Sequence, residues 1–245
     1  MSARMNFTLH IWRQENAQAK GAFHTYTLDN ISSDTSFLEM LDALNEQLIQ
    51  KGEDCVVFDY DCREGICGAC SLVINGYPHG KQKGTTTCQL YMREYEFENE
   101  LWIEPWRADA FPVIKDLTVD RSAFDDIIHS GGFVSVHTGS APDANSTLVD
   151  KGCADDAFDS ATCIGCGACV AICPNTSASL FVAAKINHLN QLPQGKVESV
   201  TRAKRMNETM FNAGFGVCSN HRHCETQCPK NISINNICEM NKIIG

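Results

Sequence analysis

Apolar and polar residues alternate along Phe7-Thr-Leu-His-Ile-Trp12, the two-residue period of a strand with one buried face, and Phe23-His-Thr-Tyr-Thr-Leu28 follows with aromatic and β-branched residues. The polar segment Gln14 to Gly21 between them predicts a hairpin turn. At Ser36-Phe-Leu-Glu39 the spacing becomes that of a capping box, and Phe37, Met40, Leu41, Leu44 and Leu48 then recur on one helical face until Lys51-Gly52 closes the helix. Such a helix is expected to lie across the sheet. Val56 to Tyr60 and Ser71 to Ile74 predict short strands, the second running into the Asn75-Gly76 turn signal, and Leu101 to Glu104 predicts the last strand. Pro105 and Pro112 bracket an irregular connector. Beyond it the period turns helical. Phe124, Ile127 and Ile128 mark a short helix, Leu180 to Leu189 a second, Val197, Val200, Ala203, Met206 and Met210 a third, and Ile232 to Ile243 a last, with loop expected from Gly131 to Ala161. Apolar faces of this kind ordinarily pack a core. The expected organisation is an α+β chain of two domains, 1–113 and 114–245.

Composition narrows the function classes. With 245 residues and 43% apolar content the chain can bury a sizeable core, and its length suits two modest domains. Fourteen cysteines in a chain of this size do not read as the disulfide framework of a small secreted protein, and no signal-peptide pattern is visible, so a reducing bacterial cytoplasm is the expected compartment. The apolar run Leu180 to Ala184 falls far short of a bilayer span, which leaves membrane association to a partner. A formal charge of −10 disfavours nucleic acid, where a basic face would be needed.

The cysteines carry the chemistry. Cys163-Ile-Gly-Cys166-Gly-Ala-Cys169-Val-Ala-Ile-Cys173-Pro174 is the iron–sulfur run of bacterial ferredoxins, in which the fourth cysteine ligates the other cluster. Its echo, Cys218 with Cys224-Glu-Thr-Gln-Cys228-Pro229, must then lend Cys228 back. Cys62-Arg-Glu-Gly-Ile-Cys67-Gly-Ala-Cys70 has the plant-type [2Fe–2S] spacing, and Cys88 returns later as a distant fourth ligand. Isolated C-x-x-C pairs also occur in zinc ribbons, but a four-cysteine run ending in proline and matched by a second does not fit that pattern. Cys55, Cys153 and Cys238 fall outside the runs and are expected to be buried small apolar residues. His10, His24, His79, His129, His137 and His188 lie in no motif, whereas His221 and His223 sit inside the second run. No Ser-His-Asp, paired-carboxylate or phosphate-loop arrangement can be assembled, so the chain reads as a conductor without substrate chemistry of its own.

In the order of its motifs, a plant-type cluster domain, Phe111-Pro-Val-Ile-Lys-Asp116 as a hinge, then two cysteine runs, the chain resembles the iron–sulfur subunit of succinate dehydrogenase and fumarate reductase. The resemblance implies an N-terminal β-grasp [2Fe–2S] ferredoxin domain followed by an all-α bacterial ferredoxin-like domain with [4Fe–4S] and [3Fe–4S] clusters. It implies Cys62, Cys67, Cys70 and Cys88 on the first cluster, Cys163, Cys166, Cys169 and Cys228 on the second, and Cys173, Cys218 and Cys224 on the third. It also implies a place between an FAD-containing flavoprotein and a membrane anchor of cytochrome b type holding haem b, on the cytoplasmic side of a bacterial inner membrane. Electrons from succinate would pass singly to a quinone bound near the third cluster by Pro174 and His221, with menaquinone suggested by the segment Pro174 to Lys185. Ala178 and Ser219 depart from well-known members, which carry a quinone-pocket tryptophan at the first position and, in some, histidine at the second. Cys218, His221, Cys224, Cys228 and Pro229 reproduce the spacing of Cys163, Cys166, Cys169, Cys173 and Pro174 with histidine replacing one thiolate, which predicts a cube lacking a corner. The alternatives are that His221 ligates a fourth iron, as imidazole does in Rieske centres, or only lines the quinone pocket. A subunit of another flavin-dependent enzyme such as a thiol-dependent fumarate reductase, a soluble multi-cluster ferredoxin and a structural zinc protein are the competing functions.

Overall fold

The structure, a computed structural model, describes residues 3–137, 139–140, 143 and 146–245. The first core is a sheet with one helix on it. Strands β1 (Arg4–Arg13) and β2 (Ala22–Ser32) pair antiparallel, helix α1 (Phe37–Lys51) follows, and β3 (Val73–Ile74), β4 (Tyr77–Pro78) and β5 (Glu100–Glu104) complete the sheet in the order β2-β1-β5-β3-β4. β1 runs parallel to β5, and the other neighbours are antiparallel. The alternation seen in the sequence sends Phe7, Leu9 and Ile11 inward, where they meet Phe37, Met40, Leu41, Leu44 and Leu48 of α1. Each such buried side chain contributes roughly 1.5–3 kcal/mol. Ser36 caps α1 with a complete capping box to Glu39, and Gly52 ends it in the left-handed conformation, donating to the Ile49 carbonyl.

Two expectations for this half change. Val56 to Tyr60 forms no strand, because its backbone is satisfied by side chains instead of a ladder: Val56 N–H donates to Asn45, Val57 N–H to Asp116, and Asn45 donates back to the Val56 carbonyl. The strand expected over Ser71 to Ile74 is shortened to Val73–Ile74, and the Asn75-Gly76 turn forms with both residues at positive φ. A short ribbon of β6 (Val113–Lys115) and β7 (Thr118–Val119) was not expected.

The second core is helical: α2 (Ser122–Gly131), α3 (Lys151–Ala161), α4 (Ala168–Ala171), α5 (Ser179–Asn190), α6 (Ser199–Asn212), α7 (His223–Gln227) and α8 (Asn235–Ile244). α5 is apolar nearly all round and occupies the centre, with Phe181 stacked on Phe124 of α2 at 3.8 Å between centroids. α3 lies within the stretch expected to be loop. Its acidic composition hides an Asp150 cap that accepts from Cys153 N–H, and Ser160 bonds Asn236 of α8. Residues 138, 141–142 and 144–145 of that stretch lie outside the described residues. Val197, which precedes α6, and Val200 on it are exposed, and Arg202 takes the inward position, its guanidinium donating to the carbonyls of Gly131, Phe133 and Gly195. α8 starts three residues later than expected, after Ile232 and Ile234 have already entered the core as loop residues. Cys238 is exposed on it, contrary to the reading of the three extra cysteines as buried, while Cys55 and Cys153 are half-buried.

The chain does not pass cleanly from one core to the other. Trp106 and Phe111 belong to the second core, but Leu117 returns to the first, and the Asp116 carboxylate accepts from Gln14 and Val57 N–H groups there. Among the described residues no helix is long and apolar enough to cross a membrane.

Candidate metal centres

Cys62, Cys67 and Cys70 sit on the loop entering β3, and Cys88 on a short 3₁₀ turn, Thr87–Gln89, that the start of α1 holds through Phe37 N–H on the Leu90 carbonyl. The loop turns its amides toward sulfur. Glu64, Ile66 and Cys67 N–H groups point at Cys62 Sγ at 3.3–3.4 Å, Gly65 N–H at Cys88 Sγ at 3.2 Å, and Ala69 N–H at Cys67 Sγ at 3.4 Å. These donors favour thiolate, and they draw Cys62 down to about 7. Cys88 falls to about 5, chiefly through its hydrogen bond with Cys70 and then the Thr86 hydroxyl and the Gly65 amide. The four sulfurs group in two pairs, Cys62 with Cys67 and Cys70 with Cys88. That pairing fits a [2Fe–2S] cluster, where each iron takes two protein ligands. Arg63, at φ +55°, pairs with Asp42 of α1 at 2.7 Å and lies over Tyr60, while Gln89 donates to its carbonyl, so helix and loop hold each other.

The remaining ligand candidates surround two cavities in the helical half. The second cavity, counting the Cys62 to Cys88 loop as the first site, is lined by Cys163, Cys166, Cys169 and Cys228 with Gly165, Gly167, Leu180, Phe181 and Ile232. The third cavity is lined by Cys173, Cys218 and Cys224 with Ser177, Ser179, Ser219, His221, His223 and again Leu180. So Cys228 does join the first run across the fold, and Cys173 parts from its neighbours to join the second run. Among the described residues no three Cys, His, Asp or Glu side chains converge on one ion position. Thiols spaced round a cavity fit a multi-iron cluster better than the tight tetrahedron of zinc. Burial works against bare thiolates here. It pushes Cys166 up to about 12 and Cys224 to about 11, and holds Cys163 and Cys169 high as well, so iron must bring the charge that makes ionisation favourable.

His221 faces the third cavity, whereas Pro174 is exposed and does not line it. Ala178 is wholly buried in the second core, and Ser219 lines the third cavity while accepting from Asn175 at 2.7 Å. His221 and His223 rings lie 6.1 Å apart.

Several residues carry no motif signal and still define the site. The Cys166 carbonyl accepts from Trp106 Nε1 at 2.9 Å, Ser71 Oγ at 2.9 Å and Arg121 Nη1 at 3.3 Å. Gln227, next to Cys228, donates to the Pro78 and Gly80 carbonyls of the first core. His79 is fully buried, bonded to Thr87 beside Cys88 and edge-on to Trp106. Nothing in their spacing singles them out, since each acts through a contact between the two cores.

Comparison with known proteins agrees with this arrangement. Residues 8–126 match the family described as a 2Fe-2S iron-sulfur cluster binding domain, and residues 159–232 the 4Fe-4S dicluster domain. The succinate dehydrogenase iron-sulfur subunit of Bacillus subtilis is 30% identical over 192 residues, covering 75% of this chain and 70% of that one. The chain belongs to the family of succinate dehydrogenase and fumarate reductase iron–sulfur subunits. Another relative in this family, the fumarate reductase iron-sulfur subunit of Wolinella succinogenes, is 25% identical over 228 residues, covering 90% of this chain and 88% of its own length. A chain of the Mycobacterium smegmatis Sdh1 complex shares the fold with a TM-score of 0.69 at 19% identity, covering 98% of this chain and 95% of that one. Family membership accounts for the mixed α/β architecture, a [2Fe–2S] domain followed by a ferredoxin-like domain with two further clusters.

Proposed function

We propose that the chain is the electron-transfer subunit of a succinate:quinone oxidoreductase, passing single electrons from a flavoprotein that oxidises succinate, through three clusters, to a membrane quinone. The observation that carries this is the exchange of cysteines across the fold, Cys228 joining Cys163, Cys166 and Cys169 while Cys173 joins Cys218 and Cys224. The clusters supply one-electron redox chemistry when bound. This chain's own residues position it. Cys62, Cys67, Cys70 and Cys88 hold [2Fe–2S] in a β-grasp domain, Cys163, Cys166, Cys169 and Cys228 hold [4Fe–4S], and Cys173, Cys218 and Cys224 hold [3Fe–4S]. The buried Cys166, Leu180 and Phe181 keep water from the second site, and the amide-lined loop stabilises charge at the first.

In this reading domains 1–113 and 114–245 meet a flavoprotein carrying FAD and a haem-bearing cytochrome b anchor, on the cytoplasmic face of a bacterial membrane. Menaquinone is reduced near the third cavity, beside His221. Copurification of the tagged chain from membranes tests it: a flavoprotein and an anchor with succinate-dependent quinone reduction are expected. A chain that runs alone near 27.0 kDa in native extract would point to a soluble shuttle instead.

A further inference from the structure

The two cluster loops touch backbone to backbone. A Cβ on Gly68, which lies between Cys67 and Cys70, would stand 2.5 Å from the Ile164 carbonyl oxygen and 3.2 Å from Cys166 Cα, so no side chain can separate the loops there. Arg121, at the start of α2, sits over this contact. Its Nη1 donates to the Gly68 carbonyl at 2.7 Å and approaches the Cys166 carbonyl and Ser71 Oγ at 3.3 Å each. Ser71 follows Cys70 directly, and its hydroxyl lies 2.9 Å from the Cys166 carbonyl and 3.0 Å from that of Gly68. One hydrogen bond therefore connects the residue next to a ligand of the first cluster with a ligand of the second. Among the described residues Arg121 makes no contact ion pair, although the half-buried Asp59 carboxylate feels its charge from farther off.

We propose that Arg121, with Ser71, is the positioning residue for electron transfer between the first two clusters, fastening the Gly68 and Cys166 carbonyls together and holding a positive charge between the two sites. This rests on the reading above that the two cysteine quartets hold [2Fe–2S] and [4Fe–4S]. In the step, one electron leaves the first site and one enters the second; no proton moves and no bond forms or breaks. An electron arriving at either site adds negative charge beside a guanidinium, which favours the reduced form and raises both potentials. A planar, permanently charged group with several donors suits a junction of carbonyls belonging to two loops.

The test uses the assembled complex purified with its partner subunits, as wild type, Arg121→Gln, Arg121→Lys and Ser71→Ala. Iron content and electron paramagnetic resonance count the clusters, redox titration gives their midpoint potentials, and the broadening of one reduced cluster's signal by the other reports how closely they are held. Arg121→Gln is expected to retain all three clusters while both early potentials fall by about tenfold in the one-electron equilibrium, about 59 mV. Arg121→Lys restores the potentials, because the charge returns. Ser71→Ala leaves them near wild type but weakens the magnetic broadening. Unchanged early potentials in Arg121→Gln, or an equal fall at the remote third cluster, overturns the proposal. If Arg121→Gln does not assemble, Ser71→Ala decides, and unaltered broadening there overturns it. A wild-type complex lacking the first two signals would sink the functional reading itself, a different result from normal signals that the variants leave untouched.

Discussion

Arg13 Nε lies 3.1 Å from Asp116 Oδ1, with the carboxylate 3% and the arginine side chain 14% exposed. Burial alone would lower the arginine's affinity for its proton, and Asp116 together with the Tyr26 hydroxyl outweighs it, holding the guanidinium above its ordinary value. The same carboxylate accepts from the Gln14 and Val57 backbones, so one side chain from beyond the connector ties together two segments of the first core, Arg13–Gln14 and Val57. Asp116→Ala leaves Arg13 without its counter-charge, bonded only to the Tyr26 hydroxyl and the Asp54 and Cys55 carbonyls, and two amides without an acceptor. The loss of stability should be roughly 3–5 kcal/mol, read as an earlier bleaching of [2Fe–2S] absorbance on heating.

Because Asp116 and Leu117 serve the first core, the proposed boundary at 113 can be set against a longer fragment. Residues 1–113 and 1–120, expressed separately, should both be red, with the longer fragment more stable by at least the roughly 1.5–3 kcal/mol of burying Leu117. Equal thermal midpoints would show that the return segment contributes nothing.

Cys228→Ala removes a thiol from the second cavity and loosens the neighbouring Gln227, which is bonded to Pro78 and Gly80. The variant should lose the [4Fe–4S] signal and assemble poorly, since cluster binding is also folding energy here. Full iron content with only slower turnover would mean that Cys228 is not a ligand.

His221 lines the third cavity opposite three cysteines. His221→Cys supplies the thiolate that the spacing lacks, and a fourth iron should enter, abolishing the paramagnetic signal of the oxidised three-iron cluster. A wild-type complex already silent when oxidised, with eight irons in its two cubanes, would contradict the three-iron assignment.

The capping box of α1 gives a pH-dependent contribution. Glu39 accepts from the Ser36 backbone and hydroxyl, which lowers its affinity for a proton in the folded chain. Its stabilisation is therefore present above the unfolded value of about 4.3 and is lost as pH falls through the lower, folded value. Glu39→Gln should flatten the acid limb of the denaturation profile, whereas Ser36→Ala should cost about 1 kcal/mol near neutrality. Because Phe37 N–H holds the Leu90 carbonyl, the Ser36 variant should also release the first cluster's iron faster to chelators.

What could be read in the sequence was whatever repeats at a fixed spacing. The alternation in β1, the heptad-like face of α1 and the cysteine runs each depend on near neighbours, so residue order alone exposes them. Asn45 replacing a strand partner for Val56, Arg202 entering the core on carbonyls of a distant loop, and Arg121 bridging Gly68 and Cys166 all depend on segments far apart in the chain. Their residue types are ordinary and no period marks them. α3 leaves no signal in the sequence for a related reason: its buried side includes the small residues Ala157 and Ser160, which form no apolar stripe.

Leu180 borders both cavities of the helical half, so a single aliphatic side chain forms part of the partition between them. On the far side of the third cavity His221, Arg222 and His223 are exposed, whereas Cys166 and Phe181 on the other side of the partition are buried. The leucine thus works as a gasket, thin enough to keep two redox compartments adjacent and apolar enough to stop solvent that enters one from leaking into the next.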